Sequence, residues 1–166
     1  GQNNGAIADA IPHVRQAGDI AAEFGLRLCL EFNSQHPTVN RVEVMREITH
    51  AAAKKNVGLL IDAYHMHRSG RIGAAMGDVP PEEIFYFQYS DVPRVASVGV
   101  ARPTDRMPPG KGVIDWVAVL GQLAEKGYKG YLSYEAPNPE QWDRDPAEVV
   151  REAVEATDGF TAAISR

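Results

Sequence analysis

The chain alternates segments of helical and strand periodicity, and this alternation is the feature that most restricts its fold. Apolar residues recur at helical spacing in 6–25, 38–56, 113–127 and 146–165, and short apolar runs occupy 26–32, 57–65, 84–90 and 130–136. Repeated helix and strand units with short connections predict an α/β chain with a parallel sheet. The run 57–65 is nearly all apolar, as is typical of a parallel strand covered on both faces. The sequence therefore predicts one α/β domain over residues 1–166.

Local signals predict where several elements begin and end. Gly25 is typical of a helix C-terminal cap, and Thr38 of an N-terminal cap for the second helix, whose apolar face is formed by Val42, Met45, Ile48 and Ala52. The Gly-rich stretch around 69–77 predicts a short helix, and a long Pro- and Gly-containing loop is predicted over 91–112. Pro146 is compatible with the first turn of the final helix. In the third strand, alternation predicts Phe85, Phe87 and Tyr89 against the helices, with Tyr86, Gln88 and Ser90 on the other face.

Two architectures commonly hold a parallel sheet, and the motifs favour one of them. Neither the GxGxxG fingerprint nor a P-loop follows any strand, which weakens a doubly wound nucleotide-binding fold. The alternative is the (β/α)8 TIM barrel, which needs eight strands where this chain predicts four. The chain thus resembles half of a barrel. Because such a half leaves two strand edges and an apolar interior open, we expect it to need the missing half or to self-associate.

Composition excludes several classes of partner. The net charge is −5, with no basic run, which argues against nucleic acid as a partner. The single cysteine, Cys29, precludes an internal disulfide framework and fits a reducing cytoplasm. No apolar run approaches the roughly 20 residues of a membrane span. We therefore expect a cytoplasmic protein that binds neither nucleic acid nor membrane.

A polar residue stands at or near the carboxyl end of each of the four predicted strands: Glu31, Asp62, Gln88 and Glu135. In parallel α/β sheets, sites form at this end. Three carboxylates and one amide converging there would repel one another without a neutralising cation. Such an oxygen set suits Mn²⁺ or Mg²⁺ most, with Co²⁺ or Zn²⁺ also compatible. The pattern predicts a divalent metal site.

Each of these residues also has an ordinary structural interpretation. A carboxylate at a strand end often caps a helix or joins an ion pair, and Gln88 could simply hydrogen-bond a neighbouring strand. His65 and Arg94, predicted in strand-exit loops, could be a solvated side chain and an ion-pair partner of Asp91. The recurrence at the same end of all four strands favours the metal site.

Five motifs together resemble those of the xylose-isomerase-like TIM barrels, a superfamily of sugar phosphate isomerases and epimerases that also includes inosose and dehydroshikimate dehydratases. They are LCLEF, VGLLIDAYHMHRSG, FQYSDVPR, PPGKGVIDW and GYKGYLSYEA. The resemblance covers the family's C-terminal half, strands five to eight with their helices. It implies a metal held by Glu31, Asp62, Gln88 and Glu135, and substrate contacts from His65 and Arg94. The epimerases have histidine where this chain has Gln88, whereas dehydroshikimate-dehydratase-like members resemble it there.

The resemblance implies a reaction in which the cation polarises a substrate carbonyl and stabilises the enediolate formed by proton abstraction beside it. Glu31 and Glu135 would be the catalytic base and acid. Reprotonation yields an isomer or epimer of a carbohydrate or cyclic polyol, and loss of a β-hydroxyl yields a dehydratase product. Both outcomes stay open, as does a non-catalytic barrel fragment. A related metal-barrel nuclease is disfavoured because it would need more histidines and a basic groove.

Overall fold

The computed structural model describes residues 7–70, 74–95 and 104–164. In chain order, its elements are α1 (Ile7–Glu23), β1 (Leu28–Glu31), α2 (Val42–Ala52), β2 (Val57–Asp62), α3 (Ala63–Arg68), α4 (Ala74–Gly77), a 3-10 turn (Pro81–Glu83), β3 (Ile84–Tyr89), α5 (Trp116–Glu125), β4 (Leu132–Tyr134), α6 (Pro139–Trp142) and α7 (Pro146–Ile164). The strands form a four-stranded parallel sheet in the order β1-β2-β3-β4. All four carboxyl ends therefore meet at one edge of the sheet.

The hydrophobic core lies between the sheet and its covering helices. Ile61 and Phe87 are fully buried in it, and Trp116 at the start of α5 packs edge-on against Tyr89 with ring centroids 5.8 Å apart. Large apolar side chains remain exposed on α1 and α7 and beside the outer strands: Ile20, Phe24, Leu26, Tyr131, Leu132, Val150 and Val154. Within the described residues, no helix is both long enough and apolar enough to span a bilayer.

The second helix begins later than predicted, and Thr38 is not its cap. Helix α2 starts at Val42 after Arg41, which has extended backbone angles and no side-chain capping bond. The Thr38 and Val39 backbone N–H groups donate to His36 Nδ1, at 3.1 and 2.9 Å. The histidine ring thus stabilises a turn that occupies the residues assigned to the first helical turn. The predicted apolar face is confirmed, since Val42, Met45, Ile48 and Ala52 are all buried.

The predicted alternation in β3 is correct in its second half and wrong at its start. Ile84, Phe87 and Tyr89 belong to the core, whereas Phe85 does not. The pairing of β2 with β3 shifts register between Leu59 and Leu60, which is a bulge that reverses the alternation of the preceding residues. Phe85 instead lies over Gly58, where a Cβ would come within 2.5 Å of its ring, and stacks beneath the Arg27 guanidinium.

Other predicted boundaries are confirmed. Gly25 follows α1 with a φ of 66°, the left-handed conformation that favours glycine. Helix α7 begins at Pro146, and α4 supplies the short helix predicted in 69–77. Residues 71–73 of that stretch, and 96–103 of the loop predicted over 91–112, lie outside the described part of the chain.

Candidate metal and active site

The carboxyl edge of the sheet brings together the four residues predicted from the strand ends. Glu31 and Asp62 are the last residues of β1 and β2, Gln88 is the second-last of β3, and Glu135 directly follows β4. Asp62 is the register partner of Gln88, so their Cα atoms lie side by side. The Glu135 backbone N–H donates to Tyr89 O at 3.1 Å, which extends the β3–β4 ladder to this residue.

Asp62 is the fully buried centre of the site. Its Oδ1 atom accepts a hydrogen bond from Tyr64 N at 2.8 Å and so caps α3. Its Oδ2 atom accepts from Arg106 Nη1 at 2.7 Å. Helix α3 begins directly after β2, with Asp62 as its cap. His65 therefore lies within α3 and not in a strand-exit loop as predicted. Asp62 therefore has the helix-capping role that is common for a carboxylate at a strand end. It also lies close to Glu31, so capping does not exclude a place in the acidic cluster.

His65 is buried beside the carboxylates and is held as a neutral ring. Its ligand nitrogen lies within 4.8 Å of ligand oxygens of Glu31 and Asp62. His65 Nε2 lies 3.3 Å from Arg106 Nη2. On the other side of the ring, Nδ1 lies 2.9 Å from Ser34 Oγ and accepts a hydrogen bond from the Ser34 backbone N–H at 3.3 Å. Burial lowers the His65 pKa to about 4, with Arg106 adding to the effect and Asp62 opposing it.

The Gln88 side chain places a buried acceptor at the site. Within the described part of the chain, its Oε1 atom is buried and has no hydrogen-bond partner. The ordinary interpretation, in which this oxygen bonds to a neighbouring strand residue, does not hold for that atom. An orphaned buried acceptor is costly, and a bound cation would satisfy it.

The side chains of the two glutamates are partly exposed to solvent. Side chains of Glu31 and Glu135 are 36% and 43% exposed. The pKa of Glu31 is raised to about 8 by partial burial and by the negative charges of Asp62 and Glu135, against a lowering contribution from Arg106. A carboxyl group that is mostly protonated near neutral pH is the expected result of crowding acidic groups without enough positive charge.

Arg106 is the residue of the site that the sequence did not reveal. Its side chain is 2% exposed, and Nη1 lies 3.2 Å from Ser90 Oγ and 3.3 Å from Glu135 Oε2, in addition to its bond with Asp62. Its guanidinium also stacks over the Tyr64 ring at 4.5 Å. The residue is 44 positions from Asp62 along the chain, and the available signal was an arginine directly ahead of the MPPGKG turn. Arg94 is exposed in the segment after β3.

Asp91 is buried and organises the segment that follows Arg106. Oδ1 accepts from Val92 N and Ile114 N, and Oδ2 accepts from Gly110 N and Trp116 Nε1, at 2.8 to 3.0 Å. Its backbone also pairs in both directions with Met107. The interpretation of Asp91 as an ion-pair partner of Arg94 is therefore replaced by that of a loop anchor.

The donor set fits a divalent cation. Ligand atoms of Glu31, Asp62 and His65 all lie within 4.8 Å of one another, and the orphaned Gln88 oxygen lies at the same edge. Carboxylate and amide oxygens suit Mn²⁺ or Mg²⁺, and a neutral imidazole among them adds Zn²⁺ and Co²⁺ to the compatible ions. The structure thus brings an additional nitrogen donor, His65, to the four-oxygen set inferred from the strand ends.

A parallel four-stranded sheet with candidate site residues at its carboxyl edge fits half of a (β/α)8 barrel, in which active sites lie at that end of the strands. Residues 2–159 match the model of the xylose isomerase-like TIM barrel family, and the chain belongs to that family. The predicted fold class is confirmed.

The chain is similar to proteins with named activities and to solved structures. The chain is 32% identical over 149 residues to inosose isomerase of Bacillus velezensis, covering 89% of this chain and 52% of the relative. It is 31% identical over 126 residues to 3-dehydroshikimate dehydratase of Pseudomonas aeruginosa, covering 75% and 20%. A crystal structure of the IOLI protein with a zinc atom superposes with a TM-score of 0.85 at 28% identity, covering 95% and 57%. The chain therefore spans about half the length of the inosose isomerase that it matches.

Proposed function

We propose that the protein containing this chain is a divalent-metal-dependent isomerase or epimerase of a sugar, sugar phosphate or cyclic polyol. The observation that carries the proposal is the convergence of Glu31, Asp62, Gln88 and Glu135 at one sheet edge, with the Gln88 oxygen buried and unpaired. The relationship to inosose isomerases supports the reaction class, and the zinc atom of the IOLI structure supports a metal. Substrates of TIM-barrel enzymes bind at the carboxyl ends of the strands, and the position of these residues at that edge supports the proposal.

The metal would be held by the four strand-end residues, with His65 close enough to contribute a nitrogen. When bound, a divalent cation supplies Lewis acidity that polarises a carbonyl and stabilises negative charge developing beside it. The remaining chemistry falls to the chain's own side chains. Glu31 and Glu135 are partly exposed carboxyl groups on the open side, so a substrate can reach both.

We assign proton transfer to these two glutamates. Glu31 or Glu135, in its ionised form, removes a proton from the carbon next to the carbonyl, and the other returns a proton to the neighbouring carbon or to the opposite face. The raised pKa of Glu31 suits a group that holds a proton near neutral pH and can donate it. His65, kept neutral by its surroundings, can hydrogen-bond a substrate oxygen without adding charge. We retain Arg94 as a proposed substrate contact from the loop after β3.

Isotope exchange tests the proposal directly. The purified protein, loaded with Mn²⁺, is incubated with inosose or a ketohexose in deuterated water, and incorporation of deuterium next to the carbonyl is followed by NMR. We expect exchange that disappears in Glu31→Gln and Glu135→Gln and on chelation with EDTA. A matched control is Glu140→Gln, on the neighbouring α6 and outside the acidic cluster. Absence of both bound metal and exchange in the unmodified protein would refute the proposal.

A dehydratase is the second candidate, and one specific finding favours it. The chain matches 3-dehydroshikimate dehydratases over three quarters of its length, and an amide stands at the third strand end. The same proton abstraction followed by loss of a β-hydroxyl gives an unsaturated product. The two candidates are separated by the product: an isomer of unchanged mass supports the isomerase, and loss of water from inosose or 3-dehydroshikimate supports the dehydratase.

A further inference from the structure

The loop between β1 and α2 brings one side chain to the buried histidine of the site. The Oγ atom of Ser34 lies 2.9 Å from His65 Nδ1, and the Ser34 backbone N–H donates to the same nitrogen at 3.3 Å. Both contacts fall on one edge of the imidazole ring. On the opposite edge, Nε2 lies 3.8 Å from Glu31 Oε1. Ser34 therefore holds His65 by the edge opposite to the one that approaches Glu31.

Ring packing fixes the plane of the His65 imidazole but not which edge faces Glu31. The Phe32 ring is tilted at 59° to it with centroids 6.3 Å apart, and the Tyr64 ring packs edge-on at 5.5 Å. A half-turn of the imidazole about its Cβ–Cγ bond would keep both ring contacts while exchanging each nitrogen for a carbon. A ring carbon cannot accept the hydrogen bond from the Ser34 N–H. The contacts with Ser34 therefore favour the orientation in which Nε2 faces Glu31.

The loop that carries Ser34 is held in shape by its own hydrogen bonds. The Asn33 N–H donates to Val39 O at 3.0 Å, and the His36 N–H donates to Asn33 O at 2.7 Å. The His36 ring accepts from the backbone N–H groups of Thr38 and Val39. These bonds close residues 33–39 into a compact loop before α2 begins. Ser34 is thus presented to His65 by a preorganised backbone.

We propose that Ser34 is a positioning residue that orients the His65 ring, so that Nε2 is presented to substrate beside Glu31. The inference rests on the proposed function, in which His65 hydrogen-bonds a substrate oxygen, and it adds a residue that lies beyond the strand ends. Removing the Ser34 hydroxyl leaves only the backbone N–H to hold Nδ1. One neutral hydrogen bond changes an equilibrium by about fivefold, so the preference for this ring orientation should fall by about that factor.

NMR of the His65 ring in the metal-free protein tests this inference without an assay of activity. With ¹⁵N-labelled histidine, and with His65→Gln to assign the signals, Ser34→Ala should shift or split the ring signals of His65. Ser34→Thr keeps the hydroxyl and should restore them. The matched control is Ser69→Ala, because Ser69 Oγ donates to Met66 O at 2.9 Å at the end of α3, and it should leave them unchanged. Unchanged His65 signals in Ser34→Ala would overturn the inference.

Isotope exchange then measures the effect of Ser34 on the site. In the deuterium assay of the proposed function, Ser34→Ala should lower kcat/KM by about fivefold at unchanged metal content, and Ser34→Thr should regain most of it. In a His65→Gln background the same substitution should have no effect, because no ring is left to orient. An equal loss in both backgrounds would show a general disturbance of the loop and would refute the positioning role.

The outcomes separate this inference from the proposed function. Exchange that Ser34→Ala leaves unaffected refutes the positioning role and leaves the proposed function intact. Exchange that Ser34→Ala lowers only when His65 is present supports both. Absence of both bound metal and exchange in the unmodified protein refutes the proposed function and the positioning role with it.

Discussion

Replacing Asp62 by asparagine tests how far the fold depends on the buried ion pair of the metal-free protein. Asp62 is fully buried and Arg106 is 2% exposed, with Nη1 and Oδ2 2.7 Å apart. Asparagine has nearly the same shape and is itself a good N-cap, so the bond to Tyr64 N can persist. The substitution therefore removes the charge of Asp62 and leaves Arg106 buried, with little other disturbance.

The expected loss follows from what remains around Arg106. Breaking a buried ion pair by removing one partner costs about 3–5 kcal/mol, because the other charge stays desolvated. Glu135 Oε2 remains 3.3 Å from Nη1 on a half-exposed side chain, and this places the loss at the lower end, about 3 kcal/mol. The substitution also removes the repulsion between Asp62 and Glu31. This offsets little of the lost stability at neutral pH, since the pKa of Glu31 of about 8 leaves that residue mostly protonated. For a domain of this size, the shift in Tm is about 6–12 °C.

Urea and thermal unfolding in EDTA measure this loss. Asp62→Ala should destabilise by about 1 kcal/mol more than asparagine, because it also removes the cap of α3. The double variant Asp62→Leu with Arg106→Met should recover most of the stability, since no buried charge is left unpaired. The control is Asp19→Ala, whose 60% exposed carboxylate pairs with Lys54 and should contribute at most about 1 kcal/mol. Equal losses in Asp62→Asn and Asp19→Ala would refute the reasoning.

Further predictions concern ligation, protonation and assembly. Gln88→Leu should weaken Mn²⁺ binding by about tenfold. The control is Gln122→Leu, which also removes a buried unpaired Oε1 but lies on α5, and it should leave the Mn²⁺ affinity unchanged. Equal affinities in the two variants would mean that Gln88 has a structural role only. Because the folded-state pKa of Glu31 is raised from 4.5 to about 8, the metal-free protein should lose stability as pH rises through that interval. Thermal melts of Glu31→Gln in EDTA should lack this component, and an identical pH profile would contradict it. Arg94→Lys should lower turnover without changing metal content, and metal loss would instead place Arg94 in support of the metal shell. Sedimentation should show association through the exposed apolar side chains beside β1 and β4, and a stable monomer would count against it.

Much of the fold could be predicted because it depends on local patterns. Helical spacing and apolar runs depend on residues a few positions apart, so the order of the elements and the parallel sheet were readable from the chain. A strand end is also a local feature. Once the sheet is parallel, its carboxyl ends must share an edge, and this brings Glu31, Asp62, Gln88 and Glu135 together. The candidate ligand set therefore follows from the sequence and the topology that it predicts.

Other features were decided only by contacts between distant residues. Helix α2 begins later than predicted because the His36 ring accepts hydrogen bonds from two backbone N–H groups of the preceding turn. The bulge between β2 and β3 places Ile84 in the core instead of Phe85. Arg106 reaches Asp62 across 44 residues because Asp91 binds the turn that follows Arg106. Loop closure of this length leaves no periodic signal, since it depends on hydrogen bonds that form only in the folded chain. The sequence by itself thus determined which side chains are at the strand ends, and only the tertiary structure decided which charge lies against them.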